Sequence, residues 1–176
     1  MKLSSQEEFG LRCLVALARS HRDTAPKDGR TLSVHQIAEA EGISTEYVGK
    51  LMGVLVRAEL VDSVRGRYGG YRLGRDADKI SLSEALTALG GKIYETTTCD
   101  RFSGERDACI HATGCSIRSV WSGLQMMFDH VFSRTSIADL VNHSERSMDE
   151  WVYAHAQTLA SLGSPRAHSV SDRIGH

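Results

Sequence analysis

Residues 37–73 read IAEAEGISTEYVGKLMGVLVRAELVDSVRGRYGGYRL, and a change of rhythm inside that stretch decides the fold. As far as Arg57 the apolar residues recur at helical spacing, interrupted once at Gly42; beyond Leu60, short β-type runs flank a glycine-rich turn. Ser33 precedes the first helical run with Gln36 at capping-box spacing, which turns Val34, Ile37 and Ala38 inward. Ser44 precedes the second, whose buried face is Val48, Leu51, Met52 and Leu55. Two short helices joined at a glycine form a helix-turn-helix pattern. Residues 60–65 and 71–73 then read as two strands around Gly66, Gly69 and Gly70, a β-hairpin or wing.

Outward from this centre, a helix begins at Ser4 or Ser5, each with a glutamate three residues on (Glu7, Glu8). Phe9, Leu11, Leu14, Leu17 and Ala18 give it an apolar face, and Cys13 reads as a small core residue. The polar stretch 21–31, with Pro26 and Gly29, is a loop. A further helix starts at Ser81 with Glu84, carries Leu82, Ala85, Leu86 and Leu89, and stops at Gly90-Gly91. Later, Ile117, Val120, Trp121, Leu124, Met127, Phe128, Val131 and Phe132 recur at three-and-four spacing. That stripe suits either a core helix or, given its aromatic and methionine content, a homodimer seam. Residues 136–141 read as a short terminal turn. Met148, Trp151, Val152, Leu159 and Leu162 mark a weaker amphipathic helix, and the last dozen residues read as disordered.

The fold expected is therefore mainly α with a small β-hairpin wing. Residues 1–90 form a winged helix-turn-helix domain, 91–116 a loop bearing cysteines, 117–141 a dimerisation helix with its terminal turn, and 142–176 an extra helix and tail. A chain of 176 residues with 41% hydrophobic content has enough apolar surface for one such domain with a dimerising appendage. The amino-terminus lacks a signal peptide's apolar stretch, and no run reaches bilayer-spanning length. These features predict a cytoplasmic protein with no membrane partner, in which clustered cysteines favour metal binding over disulfides.

The net charge of −1 conceals a local bias: residues 44–75 hold Lys50, Arg57, Arg65, Arg67, Arg72 and Arg75 against Glu46, Glu59 and Asp62. In a helix-turn-helix the second helix enters the major groove, and its exposed starting residues here are Ser44, Thr45, Tyr47 and Lys50. Arg65 and Arg67 flank Gly66 at the wing tip, with Arg72 across the ribbon, a placement suited to a minor groove. Reading helix, wing and local positive charge together predict a double-stranded DNA operator as partner. A glycine fingerprint for a cofactor and a Cys-x-x-Cys motif are both missing, which argues against an enzyme or electron carrier.

Cys99, Cys109 and Cys115 lie in a polar segment with His111 between the last two. Three thiolates suit an iron–sulfur cluster, either 2Fe-2S or 4Fe-4S; with His111 they also make a four-ligand set for structural zinc. The reading is a transcriptional regulator, with a zinc-stabilised or metal-free module as the alternative.

The opening MKLSSQEEFGLRCLVALA, the stretch 37–73, the ISLSEAL helix, the three cysteines and the closing TSIADLV together resemble the winged-helix regulators of the IscR and NsrR type, the Rrf2 family. The resemblance covers residues 1–141, and its VRG–GGYRL wing is highly specific. It implies a homodimer with crossed long helices, most often a repressor, whose DNA binding responds to a cluster held by Cys99, Cys109 and Cys115 and sensing nitric oxide, redox state or iron–sulfur status. It also matches Arg65 to the family's wing arginine and Ser44 with Tyr47 to the start of its reading helix. There are departures. The gap between Cys99 and Cys109 is longer than in the best-known members, Arg118 stands where IscR-like proteins have a histidine ligand, and Gly49 replaces a glutamate of the reading helix. NsrR-like members take the fourth ligand from the partner's first helix, where Glu8 falls here; His111 is the second candidate. Without that role, Glu8 is an ordinary helical partner of Arg12.

Overall fold

The computed structural model describes residues 4–22, 31–66, 69–92, 109, 111, 114–143 and 145–162. Its elements run α1 (Ser5–Arg22), α2 (Val34–Glu41), α3 (Thr45–Arg57), β1 (Val61–Val64), β2 (Gly70–Leu73), a single 3-10 turn (Ala77–Lys79), α4 (Leu82–Leu89), α5 (Ser116–Phe132), α6 (Ile137–Asn142) and α7 (Glu145–Leu162).

The helix starts follow their local chemistry. Ser33 Oγ accepts the Gln36 N–H while the Gln36 side chain accepts the Ser33 N–H at 2.9 Å. Gly42, at φ 66, ends α2 in the left-handed region and turns the chain into α3, where Ser44 Oγ accepts the Tyr47 N–H. At the first helix the choice between two serines falls to Ser4, whose N–H donates to Glu7 at 2.7 Å. Glu8 is left to pair with Arg12 at 2.8 Å.

One core joins α1, α2, α3, β1 and α4. Leu14, Leu17, Ile37, Val48, Leu51, Met52, Leu55, Leu60, Val61 and Ile80 are buried in it, together with Cys13. Each large aliphatic side chain withdrawn there contributes about 1.5–3 kcal/mol. At Gly10 α1 and α4 pass close to one another, since a Cβ at this position would collide with the Leu89 side chain.

The wing has antiparallel register Val61↔Leu73, Asp62↔Arg72, Ser63↔Tyr71, Val64↔Gly70. A third segment joins it that the loop reading of 21–31 does not foresee: Leu32 exchanges both backbone hydrogen bonds with Tyr71, at 2.9 and 2.8 Å. This is why residue 70 is glycine: a Cβ there would lie 2.6 Å from the Leu32 carbonyl oxygen.

The carboxyl-terminal half departs from expectation at 136–141. In place of a terminal turn stands α6, capped by a reciprocal Ser136–Asp139 box and packed on α1 with Ile137 fully buried. Its lead-in pairs with the lead-in of α4, so α6 belongs to the winged unit's core. Helix α5 buries none of its side chains, and Ile117, Val120, Trp121, Leu124 and Met127 are exposed along it. Helix α7 packs against α5, with Trp151 stacked on His155; the Leu159 and Leu162 side chains and the carboxyl-terminal dozen lie outside the described residues. Among those described, no helix is long and apolar enough to cross a membrane.

Candidate nucleic-acid interface and thiol segment

Burial of Val48, Leu51, Met52 and Leu55 fixes the roll of α3 and leaves Thr45, Glu46 and Lys50 exposed on its outer face. Ser44 is exposed as well, with its oxygen engaged as the cap and its hydroxyl hydrogen still available to a ligand. Tyr47 is different. Expected among the exposed readers, it is half-buried and sets its ring edge-to-face against Phe9 of α1, centroids 6.1 Å apart. Arg12 in turn lies 5.4 Å from the Phe9 ring centre, so α1 braces the start of α3 through an aromatic pair topped by a cation.

The cations divide into paired and unpaired. Lys50 Nζ lies 3.0 Å from Glu46 of the same helix, and Arg72 Nη2 lies 3.4 Å from Asp62, its cross-strand neighbour. Arg65 is exposed beside Gly66 (φ 114) and has no ion-pair partner among the described residues. Arg67, the other wing-tip arginine, lies outside them. The acidic partners were legible in the sequence: Glu46 precedes Lys50 by four residues in the favoured orientation, and Asp62 faces Arg72 once the hairpin register is set.

In the thiol segment, Cys109 and Cys115 are free and half-buried, His111 is exposed, and Cys99 lies outside the described residues. Cys115 caps α5, its Sγ accepting the Arg118 N–H at 3.4 Å. Glu8 is half-exposed and held by Arg12. Among the described residues, no three His, Cys, Asp or Glu side chains gather as a metal would need. Two accessible free thiols nevertheless suit a soft metal centre in donor chemistry. Cys13 does not: burial, with a smaller contribution from Glu41, pushes its thiol up to about 12, and it serves as core.

A helix pair with a capped, solvent-facing reading helix, followed by a glycine-tipped wing, defines a winged helix-turn-helix DNA-binding regulator. Comparison with known proteins agrees: a family model described as Rrf2, iron-dependent transcriptional regulator, matches residues 3–143. The chain belongs to the Rrf2 family, and so is a transcriptional regulator rather than an enzyme. It is 29% identical over 145 residues to the HTH-type transcriptional regulator IscR of Sodalis glossinidius, covering 82% of this chain and 81% of that one. It is 28% identical over 148 residues to NsrR of Bacillus subtilis, covering 84% and 95%. Among solved structures it resembles CymR, the global cysteine regulator of B. subtilis, with a TM-score of 0.64 at 26% identity, covering 82% of this chain and 99% of that one.

Proposed function

We propose that this protein is a homodimeric repressor whose operator affinity is set by an iron–sulfur cluster on Cys99, Cys109 and Cys115, with Glu8 of the partner subunit as fourth ligand. The observation that carries the reading is the position of a described thiol: Cys115 is the cap of α5, the helix whose apolar residues Ile117, Val120, Trp121, Leu124 and Met127 are exposed. When bound, a cluster supplies a centre reactive toward nitric oxide, oxidants or iron shortage. The operator is read by Ser44 at the cap of α3, by Thr45 and Lys50 on its outer face and by Arg65, Arg67 and Arg72 on the wing, while Tyr47, half-buried against Phe9, holds the start of that helix in place.

The chain's own residues offer a route between the two functions. Glu8 holds Arg12, Arg12 lies over Phe9, and Phe9 meets Tyr47 at the start of α3. An exposed pair of the Glu8–Arg12 kind contributes only about 0.3–0.5 kcal/mol, so Glu8 is readily given up to a stronger partner. Releasing or engaging it alters the charge above the ring that braces the reading helix.

A second reading, a zinc-stabilised or metal-free regulator, is favoured by the likeness to CymR, which is described as a cysteine regulator. Anaerobic purification with iron and sulfide counting separates the two, followed by DNA binding of loaded and stripped protein. The cluster reading expects iron with acid-labile sulfide, lost in Cys99→Ala, Cys109→Ala and Cys115→Ala, and a labile or spectrally altered centre in Glu8→Ala. If Glu8→Ala leaves spectrum and reactivity unchanged, His111→Ala is the next test of the fourth ligand. Normal iron content and DNA response in all three cysteine variants sink the cluster reading.

A further inference from the structure

Two of the three described cations expected to meet DNA, Lys50 and Arg72, already hold an oxyanion. The Glu46 carboxylate lies 3.0 Å from Lys50 Nζ and the Asp62 carboxylate 3.4 Å from Arg72 Nη2. The first pair keeps 70% and 80% of its side-chain surface in solvent, and the second about half. Pairs this exposed are worth about 0–1 kcal/mol to a fold. Core packing does not require either acid, since both are solvent-facing on the outer side of α3 and of the wing. Arg65, at the wing tip, is left uncompensated among the described residues.

Affinity for DNA of arbitrary sequence comes almost wholly from cations meeting phosphates and releasing their counterions. A carboxylate already seated on the cation occupies the place a phosphate oxygen would take, and it must be displaced or left as a like charge beside the backbone. We infer that Glu46 and Asp62 are specificity-determining residues, internal stand-ins for phosphate that hold down binding to arbitrary DNA and, of Lys50, Arg65 and Arg72, leave only Arg65 uncompensated among the described residues. The benefit is physical. A regulator competes against a large excess of non-operator sites, so lowering the sequence-independent contribution frees more of the protein to find its operator.

This inference rests on the DNA-binding reading of the surface, and the experiment separates the two. Glu46→Gln and Asp62→Asn, singly and together, are compared with wild type on a mixed-sequence duplex over a range of salt, with Glu150→Gln on the exposed face of α7 as a control for net charge. Each single variant is expected to bind mixed-sequence DNA about five-fold tighter at about 0.15 M salt, with the logarithmic salt slope steeper by about one unit, as one further phosphate contact would give, and the double variant to show a slope steeper by about two. The control is expected to match wild type, and all variants to melt within a few degrees of it. Unchanged or weaker binding to mixed-sequence DNA by the two variants overturns the inference, as does an equal gain in the control. The DNA reading itself is tested in parallel by Lys50→Ala and Arg65→Ala. If these bind a duplex selected by the wild-type protein as well as wild type does, the surface is not the DNA interface, whatever the acidic variants do.

Discussion

The main-chain N–H of Ile137 donates to the carbonyl of Ile80 at 2.9 Å, and both side chains are sealed from solvent. One step along, the Leu82 N–H donates to the Thr135 carbonyl at 2.7 Å, and Ser81 faces Ser136 across an antiparallel bridge. The starts of α4 and α6 are thus bonded to one another, each with its own serine cap. Thr135 is buried at this joint and returns its hydroxyl to the Val131 carbonyl. The carboxyl end of α5 is therefore tied by backbone hydrogen bonds to the unit that carries α3.

Ile137→Ala should lower the unfolding free energy by about 2–5 kcal/mol, the range for a fully buried aliphatic residue cut to alanine. Urea denaturation followed by far-ultraviolet circular dichroism measures it. A cost below about 1 kcal/mol would mean that α6 is not part of the cooperative core.

Glu59 sits at φ 58, a left-handed conformation that ordinary side chains resist. Glu59→Gly should stabilise the protein by about 1 kcal/mol, because glycine takes this conformation without the Cβ clash. Glu59→Ala should bring no such gain. Equal melting temperatures for glycine and alanine variants would exclude backbone strain as the cause.

The contact of α7 with α5 should weaken in acid. Arg134 Nη1 lies 3.0 Å from His130 Nδ1; a guanidinium can only donate, so His130 accepts there as a neutral ring. Desolvation, Arg134 and His155 of α7 lower its pKa below the ordinary 6.5. A group lowered in this way contributes fully above pH 6.5, and the contribution falls as pH drops from there toward the lowered value. Emission of Trp151 in a Trp121→Phe background should shift over that window and lose the shift in His130→Asn. A flat profile in the parent would rule out this linkage.

Leu124→Glu should abolish self-association. Leu124 lies mid-way along the exposed stripe of α5, and at a two-fold seam a glutamate there meets its own copy without a compensating charge. Sedimentation at micromolar concentration decides it. A wild-type protein that runs as a monomer removes the seam altogether.

Arg65→Ala should weaken operator binding by about 1–3 kcal/mol while leaving self-association and iron content unchanged. Its exposure at the wing tip, free of the carboxylates that hold Lys50 and Arg72, motivates this. Equal operator affinity for variant and wild type would take the wing out of DNA reading.

Much of the winged unit was legible because its signals are short-range. A serine and the residue three places on settle a cap between themselves, as at Ser33–Gln36 and Ser81–Glu84. The inward face of α3 follows from helical period alone. The same box pattern was present at Ser136–Asp139, but a segment so short gives no apolar period by which to judge its burial. For the candidate site, the exposed outer face of α3 and the place of Arg65 and Arg72 on the hairpin were readable, whereas the half-burial of Tyr47 was not, since it depends on Phe9 in another helix.

Local preference and periodicity, then, specify where α2, α3 and α4 begin, which of their faces turn inward, and that a glycine-rich hairpin follows the helix pair, because each is settled within a few residues of backbone. What depends on chain closure is of another kind. Leu32 joining the wing at Tyr71, Gly10 admitting Leu89, and Ile137 completing the core beside Ile80 all bring together residues far apart in the chain. No local energy distinguishes such partners beforehand. They are selected when the whole core packs and every buried N–H and carbonyl must find its hydrogen bond.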